Sequence, residues 1–395
     1  MRFLAAFLIT APVWGCGTCH TDQASAFESD VHKRHGLTCA GCHGGDVHSE
    51  DMSMAMSRAK GFTGKPARTA VPALCARCHS NAAFMHQYDP KQRVDQLAQY
   101  QTSVHGKRLA AGDTKVANCA DCHGAHGIRA VRDPLSSVHP LRVAQTCAGC
   151  HANAARMAGY KLPTDQFAKY RASVHWEAVE KRGDFSAPTC ASCHGNHGAT
   201  PPEVRTVAAV CGTCHVLFEQ RFASSVHGKA LEGCHTCHGN HEVRKPSRAL
   251  FASLCTGCHT ADSPGGKTAV QMSAMLGNLE AELARSDRIL NQARASGMEV
   301  SEAQMQLLEG RENLVKARVE VHAFQLAAMA KPVNDGLAVA RQTYSAGQAA
   351  LKERDGRRVG LALSLIAILA TMLGLWMTIR NLERKPEAGD TPAGR

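Results

Sequence analysis

Every cysteine in this chain sits in the same five-residue frame, C-x-x-C-H. The frames are Cys16, Cys19 and His20; Cys39, Cys42 and His43; Cys75, Cys78 and His79; Cys119, Cys122 and His123; and Cys147, Cys150 and His151. Four more follow: Cys190, Cys193 and His194; Cys211, Cys214 and His215; Cys234, Cys237 and His238; and Cys255, Cys258 and His259. Nine frames use all 18 cysteines and leave none over. A zinc site does not require histidine at the fifth position each time, and a disulfide scaffold does not demand C-x-x-C throughout. The spacing is that of covalent haem attachment, in which two thioethers hold the porphyrin and the adjacent histidine is an axial ligand. The expected cofactor is nine haem c, and the expected cofactor-binding residues are these 27.

A second set of histidines follows a repeat. After the leading CGTCH, four modules share one grammar: a VH element, then CxxCHG with a further histidine, then a second CxxCH. Repetition of this kind is read before any fold. It extends to residues that carry no chemistry: NAAFMHQY (81–88) parallels NAARMAGY (153–160), and QYQTSVH parallels KYRASVH. A histidine three residues beyond the proximal one lies on the same side of the porphyrin as the proximal histidine. It therefore cannot close the same iron, but it can reach a neighbouring one. His126, His197, His241 and, with a longer spacer, His48 are thus expected as distal ligands of other haems. His32, His105, His175 and His227 of the VH elements precede the next CxxCH by 7 to 15 residues, enough to loop over a haem. These are eight distal ligands for nine irons. His35, His86, His139, His235, His322 or a methionine are candidates for the ninth, and His322, the one histidine after the haem region, is preferred. An open ninth iron is the alternative. Two imidazoles favour electron transfer, whereas an open position permits small-molecule chemistry.

The elements that must position these residues are short. Nine haems between Cys16 and His259 leave about 27 residues each, too few for separate cores, and aromatics make up only 5% of the chain. Neighbouring porphyrins are expected to pack on one another in their place. The formal charge of +11 is offset by two propionates per haem, so the basic residues read as propionate partners and nucleic-acid binding is excluded.

MRFLAAFLITAPVWG (1–15) reads as a secretory signal; acylation of Cys16 is an alternative that would remove a thioether from the first haem. The haem region is expected over 16–262. SPGGK reads as a linker, and 263–355 as a helical hairpin or bundle in which Gly297 and Pro332 end helices. A solvated coiled coil joining partners is the alternative to that hairpin or bundle. Val359 to Ile379 is a run of 21 residues without a charge, long enough to span a bilayer within an anchor at 356–380. Export of the haem region would place the tail, 381–395, in the cytoplasm.

The nine motifs and the SVH…CxxCHGxH…CxxCH modules resemble bacterial multihaem cytochromes c of the class III-like, doubled-CxxCH type, over Cys16 to His259. The resemblance implies stacked and perpendicular haem pairs in a mostly α, loop-rich fold, here followed by the helical hairpin or bundle and one transmembrane helix. Members of that broad group mostly carry electrons in anaerobic respiration or metal reduction, and related octahaem enzymes act on small nitrogen or sulfur compounds. No CxxCK motif occurs, unlike in the lysine-ligated nitrite reductases. The expected function is a periplasmic-side, membrane-anchored electron carrier with no catalytic residue. It would take electrons from a membrane quinol dehydrogenase or cytochrome b-type subunit and pass them to periplasmic or outer-membrane redox proteins. The alternative is an oxidoreductase acting on a small nitrogen or sulfur compound at one open haem.

Overall fold

The computed structural model describes residues 15–201 and 207–384. The expected signal segment, save Gly15, and most of the expected cytoplasmic tail lie outside the described residues. Among the described residues there are helices and no strand. The chain divides into two compact units. One holds the described residues up to His215 together with Leu231–Pro246, and the other holds Val216–Ala230 and the chain from Ser247. The first unit thus contains eight of the nine motifs; the ninth lies in the second unit with the helical tail.

In the first unit the helices are short, and the repeat grammar explains where each begins. The residue before each VH is a helix N-cap. Asp30 accepts from His32 N, Ser103 from Gly106 N, and Ser173 from Trp176 N. In the second unit Ser225 accepts from Gly228 N in the same way. All four caps are buried. A side-chain oxygen satisfies one of the orphan N–H groups of the first turn, and this fixes the following histidine at the second helical position. Asn81 and Asn153 cap the next short helices likewise, by accepting from Phe84 N and Arg156 N; this accounts for the NAA repeat.

Glycine ends the first motif helix of each module. Gly44, Gly124, Gly195 and Gly239 follow the motif histidine with φ of 70°, 86°, 80° and 76° and extended ψ. That backbone conformation is reserved for residues without a Cβ. It turns the chain sharply so that the next histidine leaves the motif helix. The first unit has little conventional core: nine buried hydrophobic residues among those described, of which Ala144, Tyr170 and Trp176 form one cluster.

The second unit is built differently. Helices Pro264–Ala295, Ser301–Glu320 and Leu326–Glu383 pack together as a three-helix bundle. Met272, Leu276, Leu279, Leu283, Leu290 and Ala293 on the first helix meet Leu307, Met329, Val333, Leu337 and Ala340 on the other two. Their alternating three- and four-residue spacing is a heptad seam. Gly310 and Gly336 allow close approach, since a Cβ there would lie 2.6 Å from Leu283 and 2.9 Å from Leu279 respectively.

Two boundary expectations are corrected. SPGGK is not a linker but the start of a helix. Ser263 is its N-cap, accepting from Gly266 N, and Pro264 occupies the first turn, where its missing N–H would be unbonded in any case. Pro332 does not end a helix. The reversal occurs earlier, at Phe324 (φ 53°), and Pro332 lies buried within the helix Leu326–Glu383. Buried packing on both neighbouring helices offsets the one backbone bond that proline removes. That 58-residue helix includes the uncharged segment at 359–379 and is the one described helix long and apolar enough to cross a membrane.

Candidate functional site

In the motifs that begin at Cys39, Cys75, Cys119, Cys147 and Cys190 one helix carries the two cysteines and the histidine at i, i+3 and i+4, which places all three on one face. All eighteen thiols are free of disulfides. The histidines come in twos. Ring centroids of His32 and His79 lie 5.9 Å apart, those of His105 and His151 6.1 Å, and those of His175 and His215 6.5 Å. In the second unit His227 and His259 are 6.0 Å apart. A second series joins His43 to His126 at 6.1 Å, His123 to His197 at 6.1 Å and His194 to His241 at 6.0 Å. Two imidazoles bound on opposite sides of one metal ion, with metal–nitrogen bonds of about 2.0–2.1 Å, have centroids roughly 6.2–6.4 Å apart. The observed separations, 5.9 to 6.5 Å, match that spacing.

The two series obey two rules. Each VH histidine faces the second motif of its own module, 32 to 47 residues downstream, and not the nearer motif that the 7–15-residue spacing suggested. Each Gly-x-His histidine faces the first motif of the preceding module. Backbone bridges repeat in the same register. Val31 N donates to Ile128 O at 2.7 Å, Val104 N to Ala199 O at 3.1 Å, and Val174 N to Val243 O at 3.0 Å. Each acceptor lies two residues beyond a Gly-x-His histidine, so successive modules are fastened where their paired histidines cross. His48 belongs to the stretch against the leading motif, where Gly15 N donates to Val47 O at 2.8 Å.

The pairs are supported by groups that the motif reading did not single out. Tyr100 Oη donates to Ala117 O at 2.8 Å and Tyr170 Oη to Pro188 O at 2.9 Å, in each case two residues before a motif. These bonds tie the VH-bearing helix pair to the module's first motif. Burial pushes both phenols up to about 12, so they remain donors. The parallel QYQTSVH and KYRASVH stretches held this signal. Asp30, buried, accepts from His32 Nδ1 at 2.9 Å, from His32 N at 2.8 Å and from Ile128 N at 2.8 Å. A carboxylate on the far nitrogen orients a ligating imidazole and raises its basicity. His43 Nδ1 faces Gly64 O at 2.9 Å and His194 Nδ1 faces Thr200 O at 3.3 Å. A carbonyl only accepts, so these Nδ1 atoms carry the proton and Nε2 is left with its lone pair for a metal.

Burial, with the neighbouring imidazole second, lowers the pKa of His79, His105, His151, His175 and His227. Burial is also the main cause for His123, His126, His197, His238 and His241. The rings are therefore neutral at neutral pH, the form in which histidine ligates.

The candidates for a ninth distal ligand separate by the same test. His86 turns Nε2 to Gln92 O at 3.1 Å, which makes that nitrogen a donor. His139 is buried, and its Nδ1 accepts from Leu141 N at 3.2 Å, so its proton sits on Nε2. His35 packs edge-on against Tyr88, and His235 Nε2 lies 3.8 Å from Glu232. His322 alone of the five turns Nδ1 to carbonyls, those of Arg318 at 3.1 Å and Val319 at 3.3 Å, as His43 and His194 do.

The described residues contain no group of three or more His, Cys, Asp or Glu arranged to hold a bare metal ion. Comparison with protein-family models, with curated proteins and with solved structures finds no match for this chain.

Proposed function

We propose that the chain is a membrane-anchored nonahaem c-type cytochrome that transfers electrons between a membrane quinol-oxidising partner and extracytoplasmic acceptors. The observation that carries this reading is the set of seven histidine pairs, each combining one CxxCH histidine with one non-motif histidine at the separation two trans imidazoles require. The few buried hydrophobic residues among the described residues of the first unit are in keeping with it. Haem iron held by two imidazoles supplies one-electron transfer and leaves no position for substrate. The cysteines of each motif would hold one haem, and the motif histidine would be its proximal ligand. His32, His105, His175 and His227 would complete the second-motif sites. His126, His197 and His241 would complete the first-motif sites, and the same rule extends to His48 with His20.

His322 is the ninth distal ligand in this reading. Its turn lies against the fourth VH element: the Phe324 ring is 3.9 Å from His227, and Phe218 meets His322 edge-on at 5.2 Å. Phe324 stands two residues beyond His322, as Ile128, Ala199 and Val243 stand beyond theirs. Toward that VH element the turn thus takes the place that the Gly-x-His segment of a following module takes elsewhere.

The apolar helix would anchor the protein in the cytoplasmic membrane with its haems on the periplasmic side. The test is EPR of the oxidised, purified full chain beside His322→Ala, with mass spectrometry counting haems. Nine haems, all low-spin, with one high-spin haem appearing in the variant, support the reading. Absence of covalent haem refutes it. A stoichiometric high-spin signal already present before substitution favours an oxidoreductase with one open iron.

A further inference from the structure

We infer that the three-helix bundle of the second unit is a spacer that holds the ninth haem site far above the membrane. The partner that exchanges electrons with this site must then carry its redox centre in an extracytoplasmic domain of matching height, not in the bilayer. This rests on the haem reading above and on insertion of 359–379 in the membrane. The ninth motif stands at one end of the bundle. A Cβ on Gly265, in the first turn of the helix Pro264–Ala295, would lie 2.4 Å from His259 Nδ1. The ring of His227, 6.0 Å from that of His259, is 3.9 Å from Phe324 in the turn just before Leu326. The first and third helices therefore both start beside the ninth site and run away from it. Arg354 marks the opposite end, where it donates to Ser296 Oγ at 3.2 Å just past the end of the first helix. The uncharged run begins one helical turn later, at Val359.

The helix itself gives the height between the two ends. Leu326 to Val359 is 33 residues of one unbroken helix, about 50 Å at roughly 1.5 Å per residue. Membrane helices tilt by up to about 40°, which still leaves a height of about 38 Å. The spacer is stiff rather than a loose tether, because its seam is buried from end to end: Met329, Leu337, Thr343 and Ala350 are all buried on the third helix. Close packing continues toward the membrane, where a Cβ on Gly347 would lie 2.7 Å from Ile289. The bundle has no means of holding a further haem along its length. The last cysteine is Cys258, and the one histidine after the ninth motif is His322, in the turn at the ninth-site end. Electron tunnelling falls off exponentially with distance, so a quinone within the bilayer is out of reach of the ninth site.

Electron cryomicroscopy of the haem-loaded full chain in lipid nanodiscs measures the height of the ninth iron. Alongside it, the same protein is placed in phospholipid vesicles with menaquinol as the sole reductant, and haem absorbance is followed. The expected height is about 40–50 Å above the hydrocarbon edge, with haems that stay oxidised until dithionite is added. An iron at less than half that height overturns the spacer. Haem reduction by menaquinol with no other protein present overturns the need for a partner domain. A ninth motif without iron overturns the haem reading instead, and a chain that does not enter the bilayer overturns the membrane reading.

Discussion

Replacing His197 with alanine is the sharpest test of the crossed pairing between modules. The ring of His197 lies 6.1 Å from that of His123, with the two planes only 10° apart. A metal at the midpoint would be about 3.0 Å from each centroid. Subtracting about 1.1 Å from centroid to nitrogen leaves bonds near 1.9–2.0 Å, close to the usual value for imidazole on a metal. His197 is the ring held opposite His123 at this distance, so in the haem reading its removal should leave one iron five-coordinate. That is one haem in nine, roughly 11% of the iron, converted from low to high spin. EPR spin quantification of the oxidised protein measures it, and added imidazole should reverse it by refilling the space the side chain leaves. His139→Ala is the control, because the Nε2 of that buried ring carries its proton. If His197→Ala keeps every haem low-spin, or if His139→Ala produces the high-spin signal, the pairing of Gly-x-His histidines with the preceding module is wrong.

Asp30→Asn should raise the potential of the haem at His79, because a neutral amide replaces the carboxylate on His32 Nδ1; a redox titration against the unsubstituted protein shows one component moving upward and the others unchanged. Hydrogen bonds to charged groups are worth about 1.5–3 kcal/mol, so thermal stability should fall as well. Ser173→Ala removes a buried N-cap and should destabilise the first unit by about 1 kcal/mol, read as a lower melting temperature with nine haems still attached. Gly124→Ala forces a side chain into a backbone conformation that costs of order 1–3 kcal/mol, and should lower haem occupancy as counted by mass spectrometry. Leu279→Ala, at a fully buried bundle position, should cost about 2–5 kcal/mol; unfolding by guanidinium followed by far-UV circular dichroism measures it.

Much of this arrangement was legible in the sequence because the repeat grammar fixes which residues recur in each module. The nine motifs, the four modules and the apolar segment are read from spacing alone, and seven of the eight non-motif histidines of the repeat lie beside a motif histidine. Which histidine faces which motif was not legible. Local spacing brings His32 near Cys39, but the N-capped helix at Val31–Arg34 turns it toward His79, and the distance along the chain gives no hint of that. Nor does sequence show that Asp30 and the serines are one structural position, since the carboxylate and the hydroxyls do the same capping. Pro332 misled because a helix breaker acts only where nothing else holds the backbone. There the heptad seam runs straight past it, through Met329 and Val333.

The crossed pairing has a consequence for how the protein is made. At His43, His123 and His194 the motif ring comes from one module and its partner ring from the next, so the pieces overlap like shingles. As the chain is made, His43 is not matched until His126 has followed, nor His123 until His197. Closure of each such pair therefore trails its motif by about one module length. With haem in the motifs as proposed, a chain cut between modules would expose a half-ligated iron at its cut end, a distinctive and reactive mark of incomplete synthesis.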